Sequence, residues 1–249
     1  MEDLDRFAQM LEDAQRVVLF TGAGISTESG IPDFRSPGTG LWTKIKPIEF
    51  QDFLDSEDVR QESWSRRFSA ERTIENAVPN KGHEACARLI ESGKATAVIT
   101  QNIDNLHLES GIPADQIIEL HGNSTYAKCL QCEMRYEMAD LESQFEATGR
   151  VAPCSACGGI IKSATISFGQ AMPVGEVRRA EAVTLECDLF VVIGSSLVVF
   201  PAADLPVLGK QVGAGLVIVN REPTPLDEIA DLVLHREIGP SMSYVVGIN

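Results

Sequence analysis

Residues 17–42 read VVLFTGAGISTESGIPDFRSPGTGLW, and the chain is organised around them. Val17-Val18-Leu19-Phe20 are four apolar, strand-forming residues with a glycine turn, Gly22-Ala23-Gly24, close behind. Such a run, closed by glycine, reads as a strand buried on both faces. Glycine at the turn lets the backbone approach a ligand closely. A helix starting near Ile25 would aim its unpaired N–H groups at that turn, which favours a phosphate. The stretch therefore predicts a dinucleotide pocket at the carboxyl end of a first strand, with Gly22, Ala23 and Gly24 against the cofactor. The spacing departs from the dehydrogenase pattern G-x-G-x-x-G, because Thr27 stands three positions after Gly24 and the next glycine is Gly30. From Gly30 to Gly38 runs a Pro/Gly-punctuated stretch that carries Asp33, Phe34 and Arg35. Long irregular loops are usually functional or disordered, and the embedded Phe34 argues against disorder.

A chain of 249 residues can bury a sizeable core, as one large domain or a domain with an insert. Hydrophobic residues make up 44% and charged residues 23%, the balance of a soluble globular protein. The net charge, 21 − 36 = −15, disfavours nucleic acid as a partner and would attract a basic peptide. No apolar run reaches the ~18 residues of a membrane span, so no membrane role is expected. The opening MEDLDRFAQM lacks the form of a signal peptide. Together with reduced cysteines, these bounds predict a cytoplasmic protein, expected to be a monomer.

Leu4, Phe7, Ala8 and Leu11 recur at helical spacing ahead of the first strand, and residues 44–76 are mostly helical in pattern. Residues 82–92 form a further helix, with Cys86, Leu89 and Ile90 facing a core and Gly93 closing it. Short apolar strands follow at 97–99, 116–120, 188–193, 216–219 and 231–234. Six such strands separated by helices predict a doubly wound, mostly parallel α/β sheet. Polar residues gather just after these strands, where open α/β sheets bind ligands. The rhythm breaks at 36–80 and at 124–163. The predicted organisation is a discontinuous large domain (1–35, 81–123 and 164–249) with a smaller helical and cysteine-bearing domain (36–80 and 124–163).

Cys129-x-x-Cys132 and Cys154-x-x-Cys157 are separated by 21 residues, 133 to 153. That is close to the spacing of tetrahedral Cys₄ zinc sites, and four thiolates leave no position open for water, so the Zn²⁺ would be structural. Cys86 and Cys187 sit in apolar contexts and read as packing residues. His121 follows a strand at the same sheet edge as the glycine turn, which makes it a catalytic candidate. His107 has a weaker claim, and His83 and His235 read as surface or capping residues. Gln101-Asn102-Ile103-Asp104 puts amides and an acid at a strand end; these either hold a neutral carboxamide or cap the next helix. Gly194-Ser195-Ser196 reads as a second phosphate or ribose contact, and Asn220 and Glu222 as adenosine contacts.

These motifs carry a resemblance. GAGIS, GIPDFRS, TQNID, ELHG, the paired C-x-x-C units, Phe168-Gly169, GSSL at 194–197 and VN at 219–220 occur in the order of the sirtuin family, with a bacterial-type outline. The resemblance implies a Rossmann-like domain, a smaller zinc-binding helical domain, and NAD-dependent protein lysine deacylation. Ala23, Thr27, Phe34 and Arg35 would contact NAD, and Asp33 would belong to the loop closing over it. Asn102, Ile103 and Asp104 would line the nicotinamide pocket, while Ser195, Ser196, Asn220 and Arg221 would hold the phosphate and adenosine end. His121 would be the general base. Phe168 and Gly169 would pair with the backbone of an acyl-lysine protein or peptide. The chain departs from the desuccinylase pattern Tyr-x-x-Arg at Trp64-Ser65-Arg66-Arg67, a stretch similar to a mitochondrial sirtuin lineage. Arg67 could fork onto a carboxylate; acetyl is the expected group, with a longer or acidic acyl as the alternative.

Three rival functions share parts of the pattern. An NAD glycohydrolase or mono-ADP-ribosyltransferase would need no peptide cleft. A non-enzymatic zinc-ribbon module would not need the sheet-edge residues. An NAD(P) dehydrogenase is disfavoured by Thr27 and by Thr100-Gln101, where a ribose-binding acid belongs.

Overall fold

The computed structural model describes residues 1–33 and 46–248. Helix α1 (Glu2–Asp13) buries Leu4, Phe7 and Leu11 as one stripe and leads into β1 (Val17–Thr21). Residues Ala23–Ser29 wind as a 3₁₀ helix, not the α-helix predicted near Ile25. Side-chain hydroxyls compete for the turn: Thr27 Oγ1 donates to Gly24 O at 2.9 Å and Ser26 Oγ to Asp104 at 2.6 Å.

Helices α2 (Phe50–Asp55), α3 (Glu57–Glu75) and α4 (Lys81–Glu91) follow. Then come β2 (Ala95–Thr100), the short α5 (Leu106–Glu109) and β3 (Ile117–Glu119). Strands β4 (Gly122–Cys129) and β5 (Arg135–Glu137), helix α6 (Met138–Thr148) and β6 (Ile161–Thr165) build the cysteine-bearing part. Helix α7 (Val174–Glu186), β7 (Leu189–Ile193), α8 (Asp204–Gln211), β8 (Gly215–Val219), β9 (Leu232–Leu234) and α9 (Ile238–Val246) complete the chain.

The large sheet runs β3-β2-β1-β7-β8-β9 with every pair parallel. Side chains alternate along β1. Val17 and Leu19 enter one core with α1, α4 and α9, while Val18 and Phe20 enter a second with α7 and α8. Burial on both faces is what makes β1 and β7 read as unbroken apolar runs. This is the doubly wound, Rossmann-like arrangement the strand rhythm predicts.

A second, antiparallel sheet, β5-β4-β6, has its own core of Trp64, Met138, Leu141, Val151 and Ile161 with buried Cys129 and Cys154. The sequence showed no strand this long in 124–163, yet β4 is eight residues. Its burial alternates irregularly because register slips against β6 between Gly122 and Ala127. Among the described residues, no helix is long and apolar enough to cross a membrane.

Candidate active site

Strand order reverses about β1: its chain successor β2 lies on one side and β7 on the other. That switch point opens a crevice at the carboxyl ends of the strands. Here the turn after β1 meets the turn after β7. Gly22 N donates to Ile193 O at 3.1 Å, and Gly24 N to Gly194 O at 2.8 Å. A Cβ on Gly22 would lie 2.7 Å from Gly194 O, so only glycine permits the approach. The cleft along this edge measures about 1190 Å³. That exceeds the roughly 300–1,000 Å³ of an ordinary small-ligand pocket and leaves room for two reactants.

The segment after β2 turns its polar groups inward. Asn102 Nδ2 donates to Gly22 O (3.2 Å) and Ser26 Oγ (3.1 Å). Ser26 Oγ donates in turn to Asp104, whose other oxygen accepts Leu106 N at 3.1 Å. Burial pushes the Asp104 carboxyl above its ordinary range, and the bonds from Ser26 and Leu106 oppose that rise. Gln101 Nε2 reaches Ser195 Oγ at 2.8 Å and ties the end of β2 to the turn after β7. Of the two readings of 101–104, helix capping is seen at Asp104, which accepts the first N–H of α5 from the position before its N-cap, Asn105. Ser26 is the residue that sequence reasoning did not single out; its place within GAGIS was the available signal.

His121 stands between β3 and β4 on the cleft wall. Its Nδ1 lies 3.0 Å from Gln101 O. A carbonyl only accepts, so Nδ1 carries a proton, and in the neutral ring Nε2 is the acceptor nitrogen. Thr27, Asp33, Ile103 and Ser196 also line the cleft, as do Asn220, Arg221 and Glu222 after β8. Asn220 Nδ2 donates to Glu222 O at 2.7 Å, and Arg221 pairs with Glu237 at 3.0 Å. Phe34 and Arg35 lie outside the described residues.

At the other end, Phe168 and Gly169 sit in a turn, with Gln170 N donating to Ser167 O at 3.0 Å. Phe168 O accepts Phe50 N at 2.8 Å, which fixes the turn against the start of α2. Trp64 is 3% exposed and stacks on Phe68 with ring centres 5.5 Å apart. It borders the cleft as part of the small core. Arg67 Nη2 donates to Ser124 O at 2.6 Å on the same wall.

The remaining histidines fall differently from expectation. His83 is buried, not on the surface, although it does cap: Asn80 N donates to its Nδ1 at 3.3 Å. Its ring lies 5.1 Å from that of His107, which is buried behind the cleft with Nε2 2.8 Å from Thr21 Oγ1. Burial lowers His83 to about 4 and His107 to about 3. His235 is exposed and contacts Asn220 O.

The four thiols of Cys129, Cys132, Cys154 and Cys157 lie within 4.8 Å of one another. Cys129 Sγ is 3.5 Å from Cys157 Sγ, and Cys132 Sγ 3.6 Å from Cys154 Sγ. A tetrahedral zinc with bonds of about 2.3 Å spaces its sulfurs by about 3.8 Å, so the cluster fits the ion. Gln131 N and Tyr136 OH donate to the sulfurs of Cys129 and Cys154, the outer support such thiolates use. None of the four cysteines is among the residues that line the cleft.

Fold and site together define a Rossmann-like dinucleotide-cleft protein with a four-cysteine metal lobe. The family model described as "Sir2 family" matches residues 22–201. The chain is 52% identical over 244 residues to an NAD-dependent protein deacetylase of Rhodopseudomonas palustris, covering 98% of this chain and 96% of that one. It is 53% identical over 245 residues to NAD-dependent protein deacetylase 1 of Bradyrhizobium diazoefficiens, covering 98% and 95%. A solved structure of Sir2 with a p53 peptide and NAD+ superposes with a TM-score of 0.87 at 35% identity, covering 98% of this chain and 97% of that one. The chain belongs to the Sir2 family.

Proposed function

We propose that the protein is an NAD-dependent protein lysine deacylase that transfers the acyl group to ADP-ribose and releases nicotinamide. The observation that carries this reading is the junction of His121, the Asn102–Ser26–Asp104 network and the Gly22/Gly194 turns in one cleft. Relatives named as NAD-dependent deacetylases support it, as does the neighbour with peptide and NAD+.

Bound NAD supplies an activated glycosidic bond at its nicotinamide ribose. The residues of this chain bind and orient it. The backbone at Gly22, Ala23, Gly24, Ser195 and Ser196 takes the phosphate region, and Asn220, Arg221 and Glu222 take the adenosine end. Asn102 and Asp104 face the carboxamide, with Ile103 as the apolar wall. Gln101 O holds the His121 Nδ1 proton, so Nε2 is set to accept a proton from a ribose hydroxyl. Removing His121 is expected to lower turnover by about 10² or more.

The acyl-lysine enters past Phe168, Trp64 and Arg67. Acetyl is the default group. An acidic acyl is the second reading, favoured by the Arg67 guanidinium on the cleft wall. Acetyl-, succinyl- and longer-chain lysine peptides compared on one preparation decide between them; a succinyl preference lost in Arg67→Ala would overturn the default. Action as a cytoplasmic monomer, on protein and not nucleic acid, belongs to the same proposal; the acidic charge and the fit of four reduced thiols to a metal support it.

A further inference from the structure

Lys162 is a buried cation that the proposed reaction does not use. It lies near the start of β6 and is 4% exposed. Its Nζ donates to Thr165 O at 2.6 Å and to Ser163 O at 3.4 Å. The Phe53 ring of α2 is 6.0 Å away. No carboxylate of the described residues pairs with it. An unpaired ammonium is costly to bury, and the two carbonyl contacts offset only part of that cost, so the charge is kept for something other than stability.

What those contacts hold is specific. β6 is an edge strand, and Lys162 folds back along it to satisfy the carbonyls near its end. The next residue, Ile166, donates its N–H to His121 O at 2.8 Å. Gly122 pairs with Thr165 directly behind His121. Between that pair and Ala127–Ser163, β4 advances five residues while β6 advances two. The ladder is therefore weakest where His121 joins it. On β4, the loose segment is tied down by Ser124 N to Ile103 O at 2.9 Å and by Arg67 to Ser124 O. On β6, the tie is Lys162.

We propose that Lys162 is a positioning residue: its ammonium clamps the end of β6, so that Ile166 holds the His121 backbone and the 167–170 turn keeps its place on the cleft. This rests on the deacylase reading of His121. The clamp weakens when the amine loses its proton, because a charge-assisted hydrogen bond is roughly twice as strong as a neutral one. Burial lowers Lys162 to about 8, so that change falls within the working range of an enzyme assay. Charged and titratable groups around it include Arg67 of α3 and His121 on the cleft side, with Glu119, Lys128, Glu133, Arg135, Glu176 and Arg179 lining the cavity behind.

The test compares full-length, zinc-loaded wild type, Lys162→Met and Lys162→Arg on an acyl-lysine peptide with NAD. Lys162→Met should lower kcat/KM by about 10- to 100-fold, as an ångström-scale displacement of a catalytic group does. NAD affinity, measured by direct titration, should stay within about twofold, because the cofactor turns belong to β1, β7 and β8. Wild type should show an alkaline limb near pH 8, and Lys162→Arg should recover activity to within about threefold and lose that limb. Deprotonation also removes a burial cost, so wild-type stability should rise over the pH range where activity falls; a purely structural lysine would show no such opposition. Full activity in Lys162→Met, or equal loss in both variants, would overturn the proposal. Should Lys162→Met not fold, identical pH profiles for wild type and Lys162→Arg overturn it, and a limb displaced upward in Lys162→Arg supports it. Wild type inactive on every peptide would instead strike the deacylase reading itself.

Discussion

Replacing Gly122 by alanine tests how the small sheet sets the catalytic histidine. Gly122 follows His121 and has φ +72. An added Cβ would lie 2.0 Å from Ala164 O, where ordinary contact begins at 3.4 Å. The backbone must therefore separate by about 1.4 Å, the difference between those distances. A left-handed alanine costs about 1–2 kcal/mol. Separation also breaks the Ile166 N to His121 O bond, worth about 1 kcal/mol. The expected loss of stability is about 2–3 kcal/mol, read as a lower urea midpoint with unchanged slope. Moving His121 by an ångström should cut kcat/KM about 10²-fold. Gly149→Ala is the control: its φ is +70, but nothing lies within 4 Å of its Cβ. It should lose about 1 kcal/mol and no activity. Gly122→Ala with kcat/KM within twofold of wild type, or Gly149→Ala equally inactive, would refute the reasoning.

Three further outcomes follow from the site. Ser26→Ala removes the hydroxyl that opposes the burial-driven rise of Asp104, so the acid limb of kcat/KM should move to higher pH; an unmoved limb contradicts a role for the Asp104 carboxylate. Cys154→Ser should lose bound zinc, measured by elemental analysis, and unfold the β5-β4-β6 lobe, because metal binding there is folding free energy of the order of 10 kcal/mol; retained stoichiometric zinc with full activity contradicts it. His83 and His107 stay neutral in the fold but protonate in the unfolded chain below about 6.5, so stability present above that pH is lost as pH falls toward 4 and 3. Each should remove roughly 3 kcal/mol or more across that window, and denaturation midpoints flat between pH 6.5 and 4 would show that the pair is not buried.

Much of this was written locally. β1, β7 and β8 are buried on both faces, so their residues are apolar without interruption, and a run of that kind is visible without tertiary knowledge. The cysteine pairs announce themselves by spacing. Gly22, Gln101, His121, Gly194 and Asn220 were legible as strand-end residues because a parallel sheet puts all its functional ends on one side. What stayed hidden depends on contacts between distant segments. Ser26 matters through Asp104, 78 positions away. His83 looked like a surface cap, but α4 packs against α9, β2 and α5, and the ring is buried against His107. β4 escaped notice because its slipped register spoils the alternation that marks a strand.

The most direct measurement is a single incubation of the protein with NAD and an acyl-lysine peptide, followed by mass spectrometry. The account predicts deacylated peptide, nicotinamide and O-acyl-ADP-ribose in equal amounts, with no NAD consumed when the lysine is unmodified and almost none in His121→Ala. NAD cleaved at the same rate without the peptide, or by His121→Ala, would contradict it.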